Sequence, residues 1–508
     1  MLFNSYIFIF IFLPITLLGY YTLNHFKRYQ MSKLFLALMS LWFYAYFNTY
    51  YLWIIVSSIL LNFLLSYIIL HFEKKSELGN LVFSKGMKNT FLILGVILNL
   101  GLLFYFKYLD FFIENLNLLF QSHFRLRNIL LPLGISFFTF QQLGFIIDRA
   151  NQKASHYKFV DYLTFVTFFP QLIAGPIVLY SEMLPQFEDI GNKKLNADNI
   201  SRGLILFTLG LGKKVLLADV LAIPVNYGFS QALFMDTTSA LLMILAYTFQ
   251  IYFDFSGYSD MAIGLGLLFN IKLPMNFNSP YKAASVKELW QRWHITLSRF
   301  FIQYVYIPLG GSRKGRARTL INIFLVFFLS GIWHGANWTY IAWGTMQGLL
   351  VVWDNLGIIG VKGSNDKIKA KFLMPRWLGW FLTFSFFNLS LIFFGSDSIK
   401  TSIQIFKDIL MFRDTGFFNK LTATLKIPEL YIITKAVNMK FPAYEGALYN
   451  ILFILLLVVS AILLHGKNAY EIATKHKLTN KFALVVAAIF VWCIISFSQV
   501  STFIYFNF

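Results

Sequence analysis

The feature that most constrains this chain is a series of long apolar stretches that recurs along its 508 residues. A helix needs about 20 mostly apolar residues to cross a bilayer. Hydrophobic residues make up 57% of the chain and charged residues only 13%, whereas soluble domains carry about 25% charged residues. The sequence therefore predicts an all-α fold, a polytopic transmembrane helical bundle with about 11 to 13 membrane elements.

Several of the apolar stretches are short, so we expect some to tilt, to break or to lie as half-helices that protein surrounds. Together they predict N-terminal transmembrane helices over residues 1–128, a central core over 129–356 and C-terminal helices over 357–508. The last region includes a segment predicted on the outer side, 395–447. The stretches are residues 7–21, 34–46, 51–70, 91–106, 129–147, 159–180, 203–217, 240–253, 320–333, 338–352, 378–394, 449–464 and 482–497.

The basic residues lie mainly between the apolar stretches and give a formal net charge of +20. This distribution is typical of cytoplasmic loops and argues against a nucleic-acid surface. It puts the N-terminus and the C-terminus on the outer side. The same charge could attract an anionic cytoplasmic ligand such as coenzyme A. The basic segments predicted in the cytoplasm are 25–33, 73–88, 149–158, 282–318, 362–376 and 467–481.

His334 is the first candidate for chemistry, because it directly follows the apolar stretch 320–333. An ionisable group at membrane depth is costly and indicates function. Neutral imidazole takes a proton near pH 7, which suits a general base acting on a hydroxyl. Gly331 and Gly335 flank it and would let a substrate approach the backbone. The alternative is a buried histidine that only hydrogen-bonds between helices.

His294 is the second candidate. Trp290, Trp293 and His294 fall on one face of a predicted amphipathic helix, and Arg292 and Arg299 supply polar flanks. The aromatic face and the neighbouring cations make the other four residues candidates for binding a substrate. The alternative is an interfacial helix that tryptophans anchor at the membrane surface.

Other polar residues are weaker candidates for binding. The loop that holds Arg313, Lys314 and Arg316 could contact phosphates, although it lacks the Walker A spacing and also fits a positive-inside loop. Asp254 could orient a histidine or an arginine, or it could belong to a helix cap or a buried polar network. Asn337 follows His334 closely and is a further candidate.

Several chemistries have no support in the sequence. Cys493 is the only cysteine, so an intrachain disulfide and a cysteine-based metal site are excluded. Two histidines without a third or a neighbouring cysteine disfavour zinc, and we predict no metal. A Gly-x-Ser-x-Gly elbow is absent, so a serine-hydrolase triad lacks support.

With these residues in place, the chain resembles the membrane-bound O-acyltransferase (MBOAT) family, in particular its bacterial alginate and peptidoglycan O-acetyltransferase branch. The resemblance rests on motifs in the family's order, among them Arg-Trp-His at 292–294 and Trp-His-Gly at 333–335. The motif-bearing segments are 131–140, 147–148, 169–176, 254–264, 276–281, 290–298, 306–311 and 331–335.

The resemblance implies a helical bundle around a central funnel or tunnel, with His334 as the essential catalytic residue and His294 as a second active-site residue. It further implies an enzyme of the bacterial cytoplasmic (inner) membrane that moves acetyl from a cytoplasmic donor, acetyl-CoA, without a tightly bound cofactor. The acceptor would be an envelope polysaccharide. The partner would be a periplasmic or membrane-anchored SGNH-type O-acetyltransferase, and membrane lipid would surround the enzyme.

Two positions depart from the family's pattern. Gln291 stands where members often carry a second arginine, and Phe394-Gly395-Ser396 stands where they often have Phe-Arg-Ala. These departures leave the acceptor and the partner open. Peptidoglycan and an alginate-like exopolysaccharide are both possible. Two other functions stay open as well: a glycan or acyl-carrier transporter or flippase, and a D-alanyl transferase.

Overall fold

The computed structural model of the protein describes residues 1–77, 81–151, 158–363, 370–425, 427–499 and 503–504. Helices form nearly all the regular structure in these ranges, so the predicted all-α class is confirmed. The chain divides into two compact units. One comprises Met1–Phe207 and Met261–Pro274, and the other comprises Thr208–Asp260 and Met275–Phe508. All the candidate site residues belong to the second unit.

The α-helices, in chain order, are α1 (Leu13–His25), α2 (Tyr29–Ala45), α3 (Tyr50–Glu77), α4 (Leu81–Leu103), α5 (Leu109–Phe120), α6 (Ile135–Ala150), α7 (Phe159–Thr167), α8 (Phe169–Leu172), α9 (Tyr180–Glu188), α10 (Ala197–Gly212), α11 (Asp219–Ser230), α12 (Thr237–Leu268), α13 (Val286–Arg292), α14 (Ile295–Phe301), α15 (Arg316–His334), α16 (Trp338–Leu356), α17 (Arg376–Gly395), α18 (Ile399–Leu410), α19 (Phe417–Ala423), α20 (Tyr431–Lys440), α21 (Glu445–His465), α22 (Ala469–Lys475) and α23 (Asn480–Ile495). Segments of π-helix are Phe8–Phe12, Phe104–Tyr108, Lys213–Ala218 and Ile302–Tyr306. Short 3₁₀ turns are Gly191–Lys193, Ala232–Phe234, Pro280–Lys282, Pro428–Leu430, Pro442–Tyr444 and Ser496–Gln499.

The first unit contains a buried polar link between three of its helices, α3, α4 and α6. The side-chain amides of Asn62 and Asn99 donate to each other's oxygens at 3.2 and 2.6 Å. The amide of Gln142 donates to the Ser58 hydroxyl at 3.0 Å. Polar groups in an apolar interior cost free energy unless they are hydrogen-bonded, so this link both satisfies them and joins the helices.

The hairpin of α15 and α16 positions His334 in the second unit. The two helices cross where Gly331 meets Gly344. A Cβ added to Gly331 would lie 2.8 Å from the Gly344 Cα and 2.6 Å from the Tyr340 carbonyl oxygen. Glycine permits this close approach of two backbones. The first helix ends at His334, and Asn337 caps the second with its side chain.

Seven described helices are long and apolar enough to cross a membrane, judged by length and composition, and α23 is a shorter apolar helix. The predicted 11 to 13 membrane elements also counted shorter stretches, such as those that fold as α2 and α6. The central funnel stays a prediction. The seven are Phe8–His25, Tyr50–Phe72, Lys85–Phe120, Thr237–Leu268, Arg316–His334, Arg376–Gly395 and Pro442–His465.

Two predicted stretches differ from the observed helices. The stretch 159–180 is broken after α7, where Phe168 leaves the helical conformation and the short α8 carries Pro170 in its first turn. The stretch 203–217 lies inside a continuous helical run that comprises α10, the π-segment Lys213–Ala218 and α11. Lys213 and Lys214 both lie within this run.

A small parallel pairing of β1 (Ile359–Val361) with β2 (Phe372–Met374) is the only β-pairing in the described ranges. The strand β2 lies in the basic segment 362–376, and β1 directly precedes that segment. Parts of three basic segments, 78–80, 152–157 and 364–369, and the predicted outer-side C-terminus at Phe508 lie outside the described residues. The predicted division into regions 1–128, 129–356 and 357–508 runs along the chain and stays a prediction.

Candidate functional site

His334 lies in a buried aromatic pocket at the last residue of α15. Only 2% of its surface is exposed. The ring centroids of Trp333, Trp343 and Phe394 lie 4.9, 5.1 and 5.2 Å from that of His334. The side chain therefore faces the protein interior rather than lipid, as a catalytic histidine requires.

The glycines beside His334 serve helix packing. The space beside Gly331 is filled by α16, and a Cβ on Gly335 would lie 2.1 Å from the ring of Tyr340. We expected both glycines to let a substrate approach the backbone. The structure instead fills both positions with protein atoms, and so fixes the α15–α16 connection that carries the histidine.

His294 lies at a sharp turn between α13 and α14. The predicted continuous helix is wrong at this point, because Trp293 is extended and His294 has a left-handed backbone with φ of 45°. A non-glycine residue in this conformation is uncommon and costs about 1–3 kcal/mol, and such strain clusters at functional sites. The turn directs the His294 side chain into the interior, where it is 1% exposed.

Asn276 fixes which nitrogen of His294 carries the hydrogen. The Asn276 Oδ1 atom accepts from the Thr296 backbone N–H at 3.3 Å and from the Thr296 hydroxyl at 2.9 Å. The backbone N–H can only donate, so the Asn276 atom that it meets is the amide oxygen. The His294 Nδ1 atom lies 3.1 Å from the same oxygen. Since that oxygen can only accept, Nδ1 carries the hydrogen.

The imidazole of His294 is consequently a hydrogen-bond acceptor at its other nitrogen. Burial lowers the pKa of His294 from its usual 6.5 to about 3, because the charged form would lose its hydration. The ring is therefore neutral at physiological pH. With the hydrogen on Nδ1, the lone pair lies on Nε2, which can accept a hydrogen bond from a hydroxyl.

His294 and His334 lie beside the same indole ring, that of Trp333. The ring centroid of Trp333 lies 6.2 Å from that of His294 and 4.9 Å from that of His334. Trp290 extends the same cluster, since its ring lies 5.7 Å from that of Trp343. The structure thus brings together two histidines that are 40 positions apart in the chain.

Trp293 is also buried in this region, among aromatic rings from α17 and from the loop that follows α12. Its ring centroid lies 5.2 Å from that of Phe387 and 5.1 Å from that of Phe277. The Trp290 indole N–H donates to the Gln347 side chain at 3.3 Å. Both tryptophans are therefore interior packing residues near the histidines, and they do not act as anchors at a membrane surface.

Asp254 belongs to a buried ion network. The Lys214 ammonium lies 2.6 Å from the Asp254 carboxylate and 2.8 Å from that of Asp219. The neighbouring Lys213 pairs with Asp260 at 2.6 Å. A buried polar network was one of the possibilities that the sequence left open for Asp254, and it is observed. It also explains how two lysines occupy the middle of a helical run, since buried charges require partners.

Arg292 borders a polar cavity of about 610 Å³ between α13, α16, α17 and β1. Three basic and two acidic side chains line this cavity. Arg292 and Arg376 both contact the Glu288 carboxylate, at 2.8 and 3.4 Å. Because three basic side chains face two acidic ones, the cavity has a surplus of positive charge. Lys287 and Asp354 complete the charged lining.

The remaining candidates are spread over the second unit. Arg299 is partly buried on α14, and Arg313 and Lys314 are exposed in the turn before α15. Arg316 donates to the Leu356 carbonyl oxygen at the far end of α16. Arg316 and His334 are the first and last of the 19 residues of α15, about 27 Å apart along the helix. Asn337 caps α16 and donates to the Asp397 carbonyl oxygen at 2.7 Å.

Within the described part of the chain, no group of three or more His, Cys, Asp or Glu side chains could hold a metal ion. Reasoning from sequence missed Asn276, Thr296 and Trp343. Asn276 stands in a segment that carries the family resemblance, but its contact with His294 spans 18 positions and arises only from the fold. Trp343 gave no signal, because a tryptophan in an apolar stretch is ordinary.

The model of the MBOAT, membrane-bound O-acyltransferase family, matches residues 124–396. A peptidoglycan O-acetyltransferase of Helicobacter pylori is 38% identical over the whole chain and 98% of its own length. A probable alginate O-acetylase AlgI of Pseudomonas aeruginosa is 37% identical over 81% of the chain and 75% of its own length. A teichoic acid D-alanyltransferase of Streptococcus thermophilus is 30% identical over 52% of the chain and 68% of its own length.

Proposed function

Because the chain belongs to the membrane-bound O-acyltransferase family, we propose that this multi-pass membrane enzyme transfers acetyl groups for the O-acetylation of a cell-envelope polysaccharide. The proposal rests on the observation that both buried histidines, His294 and His334, lie beside the Trp333 indole ring. Peptidoglycan is the favoured acceptor, since the relative named for it is similar over the full length of both chains.

His334 is the general base in this proposal. Its imidazole takes the proton of the acceptor hydroxyl while the hydroxyl oxygen attacks the thioester carbonyl carbon. The carbon–sulfur bond then breaks, and the departing thiolate receives a proton, so the ester and a free thiol are the products. Burial of the ring among Trp333, Trp343 and Phe394 supports this role, because an enclosed site keeps water from competing for the acyl group.

His294 orients the hydroxyl. With Asn276 holding the hydrogen on Nδ1, the Nε2 lone pair can accept a hydrogen bond from the acceptor. A pKa of about 3 makes His294 a weak base, and this separates its role from that of His334. Positioning a hydroxyl near the reacting carbon contributes to catalysis by removing much of the entropy cost of the encounter.

Acetyl-CoA is the proposed donor, and its phosphates would bind at the polar cavity beside Arg292, Lys287 and Arg376. The surplus of positive charge in this cavity supports the assignment. The opposite face of the same helix, α13, carries Trp290, whose ring packs against Trp343 beside His334. A donor bound there would lie on one side of the histidines, and a hydroxyl would approach from the other.

The wider setting of the reaction is also proposed. The enzyme would lie in the bacterial inner membrane with the basic segments in the cytoplasm and both termini on the outer side. A periplasmic or membrane-anchored SGNH-type O-acetyltransferase would complete transfer to the polysaccharide. This arrangement would bring a cytoplasmic acetyl donor to an acceptor outside the membrane.

The test is a chromosomal deletion complemented with the wild-type gene and followed with labelled acetate. We expect ester-linked acetate in purified peptidoglycan to disappear on deletion and to return on complementation. Label that disappears from exopolysaccharide instead would reassign the acceptor. Wall and exopolysaccharide acetate that is unchanged by the deletion would contradict O-acetylation as the function.

A D-alanyl transferase is the second candidate, supported by the similarity to the teichoic acid D-alanyltransferase over half of the chain. Labelled D-alanine distinguishes it, because only this candidate predicts D-alanyl esters that depend on the gene. A glycan transporter is distinguished by the glycan itself, which would accumulate on the inner side of the membrane when the gene is deleted.

A further inference from the structure

Trp343 combines tight packing with a polar group that the fold does not use. Its side chain is 2% exposed, and its ring lies edge-to-face on His334 with an interplanar angle of 87°. The indole N–H is buried and finds no hydrogen-bond acceptor within the described residues. Thr339 lies one turn earlier on the same face of α16, and its buried hydroxyl likewise has no acceptor or donor among the described residues.

A buried N–H without an acceptor costs about 1–3 kcal/mol, so it calls for an explanation. Two other indoles in the second unit have acceptors. Trp290 donates to the Gln347 side chain at 3.3 Å, and Trp380 donates to the Tyr281 carbonyl oxygen at 2.8 Å. A phenylalanine at position 343 could supply the same aromatic contacts without the polar group.

The rings around Trp343 prevent it from turning to find another partner. The ring centroids of Trp290, His334 and Phe394 lie 5.7, 5.1 and 5.0 Å away. Its N–H is therefore a fixed donor beside the proposed catalytic base. Donors held in place before the reaction, in a site that excludes water, stabilise charge that develops in a transition state.

We propose that the Trp343 indole N–H donates a hydrogen bond to the carbonyl oxygen of the acyl group as that oxygen becomes an oxyanion. This inference rests on the proposed acyl transfer and adds a catalytic residue to it. The N–H keeps its hydrogen throughout. It stabilises the tetrahedral intermediate, while His334 holds the proton taken from the hydroxyl.

Trp343→Phe tests the proposal in membrane vesicles prepared from the native cells, which hold the full chain together with the proposed partner acetyltransferase, with labelled acetyl-CoA and soluble peptidoglycan fragments. Removing one oxyanion donor lowers kcat by about 100-fold or more in other enzymes. We expect a loss of about that size here, with the KM for acetyl-CoA changed by less than about twofold, since the donor acts mainly in the transition state. Trp377→Phe, at a position 68% exposed, is the matched control and should keep the wild-type rate.

Benzothienylalanine at position 343 separates the N–H from packing, because sulfur replaces the N–H in a ring of nearly the same shape. We expect it to preserve the thermal unfolding temperature and still lose the rate. A wild-type kcat in either variant would overturn the role of Trp343 while leaving acyl transfer intact. A wild-type protein with no acetyl transfer in this assay and in cells would refute the proposed function itself.

Discussion

The Asn276–His294 contact makes a quantitative prediction, because one amide oxygen sets the tautomer of the imidazole. Asn276→Leu removes that acceptor, so the hydrogen of His294 can move from Nδ1 to Nε2. It also leaves the Thr296 backbone N–H buried without its acceptor. With the hydrogen on Nε2, His294 no longer accepts from the substrate hydroxyl; a lost hydrogen bond costs about 1–3 kcal/mol, and each 1.4 kcal/mol in the activation free energy is about a factor of ten in rate. We expect acetyl transfer to fall by about 10- to 100-fold.

Asn276→Asp separates charge from hydrogen bonding. The carboxylate still accepts from His294 and Thr296, but its negative charge stabilises the imidazolium and raises the pKa of His294 from about 3. As pH falls through the raised value, the ring gains a proton on Nε2 and loses its acceptor. The variant should therefore lose activity towards low pH, over a range in which the His294 of the wild type stays neutral.

The assay is the initial rate of acetyl transfer from pH 5.5 to 8.5 in membrane vesicles at matched protein level. Asn278→Asp is the control, because Asn278 is an exposed neighbour on the same loop that does not contact His294. Its pH profile should match that of the wild type. If Asn276→Leu kept the wild-type rate and Asn276→Asp kept the wild-type profile, the tautomer argument would be refuted.

Four further predictions concern stability and donor binding. As pH falls from about 6.5 towards 3, His294 gains a proton in the unfolded chain but stays neutral in the folded protein. The free energy of unfolding should therefore fall by up to about 1.4 kcal/mol per pH unit. Between pH 7 and 5, the unfolding temperature of His294→Gln should fall less than that of the wild type. Gly331→Ala should lower that temperature, whereas Gly101→Ala, with open space beside it, should not. Lys214→Met leaves the buried carboxylates of Asp219 and Asp254 without this cation, and it should lower the free energy of unfolding, measured by chemical denaturation, by about 3–5 kcal/mol. Arg292→Ala should raise the KM for acetyl-CoA about tenfold, with kcat unchanged, for a contact of about 1.4 kcal/mol.

The membrane fold was predictable because apolar length and composition report directly on bilayer burial. The ends of the helices were less predictable. The stretch 159–180 is mostly apolar, and hydropathy does not register the break that the structure places before Pro170. Lys213 and Lys214 lie within a helical run, where Asp260 and Asp254 of α12 neutralise them. Charge pairs between distant positions cannot be read from local composition.

The site was predictable only to the level of single residues. His294 and His334 stand out as ionisable groups in motif-bearing segments, and the structure brings both to Trp333. The left-handed turn at His294 and its bond to Asn276 depend on backbone geometry and a contact across 18 positions. Such a contact has no periodicity, so the sequence gives no reason to prefer Asn276 to another polar residue.

The most direct test of a buried imidazole as proton acceptor is the amount of ester-linked acetate in purified peptidoglycan when His334→Gln replaces the wild-type protein at equal abundance in the membrane. Loss of a general base lowers a rate by about 10²- to 10⁴-fold, so we predict acetate at the level of the deletion strain. Acetate above about a tenth of the wild-type amount would contradict the assignment of His334.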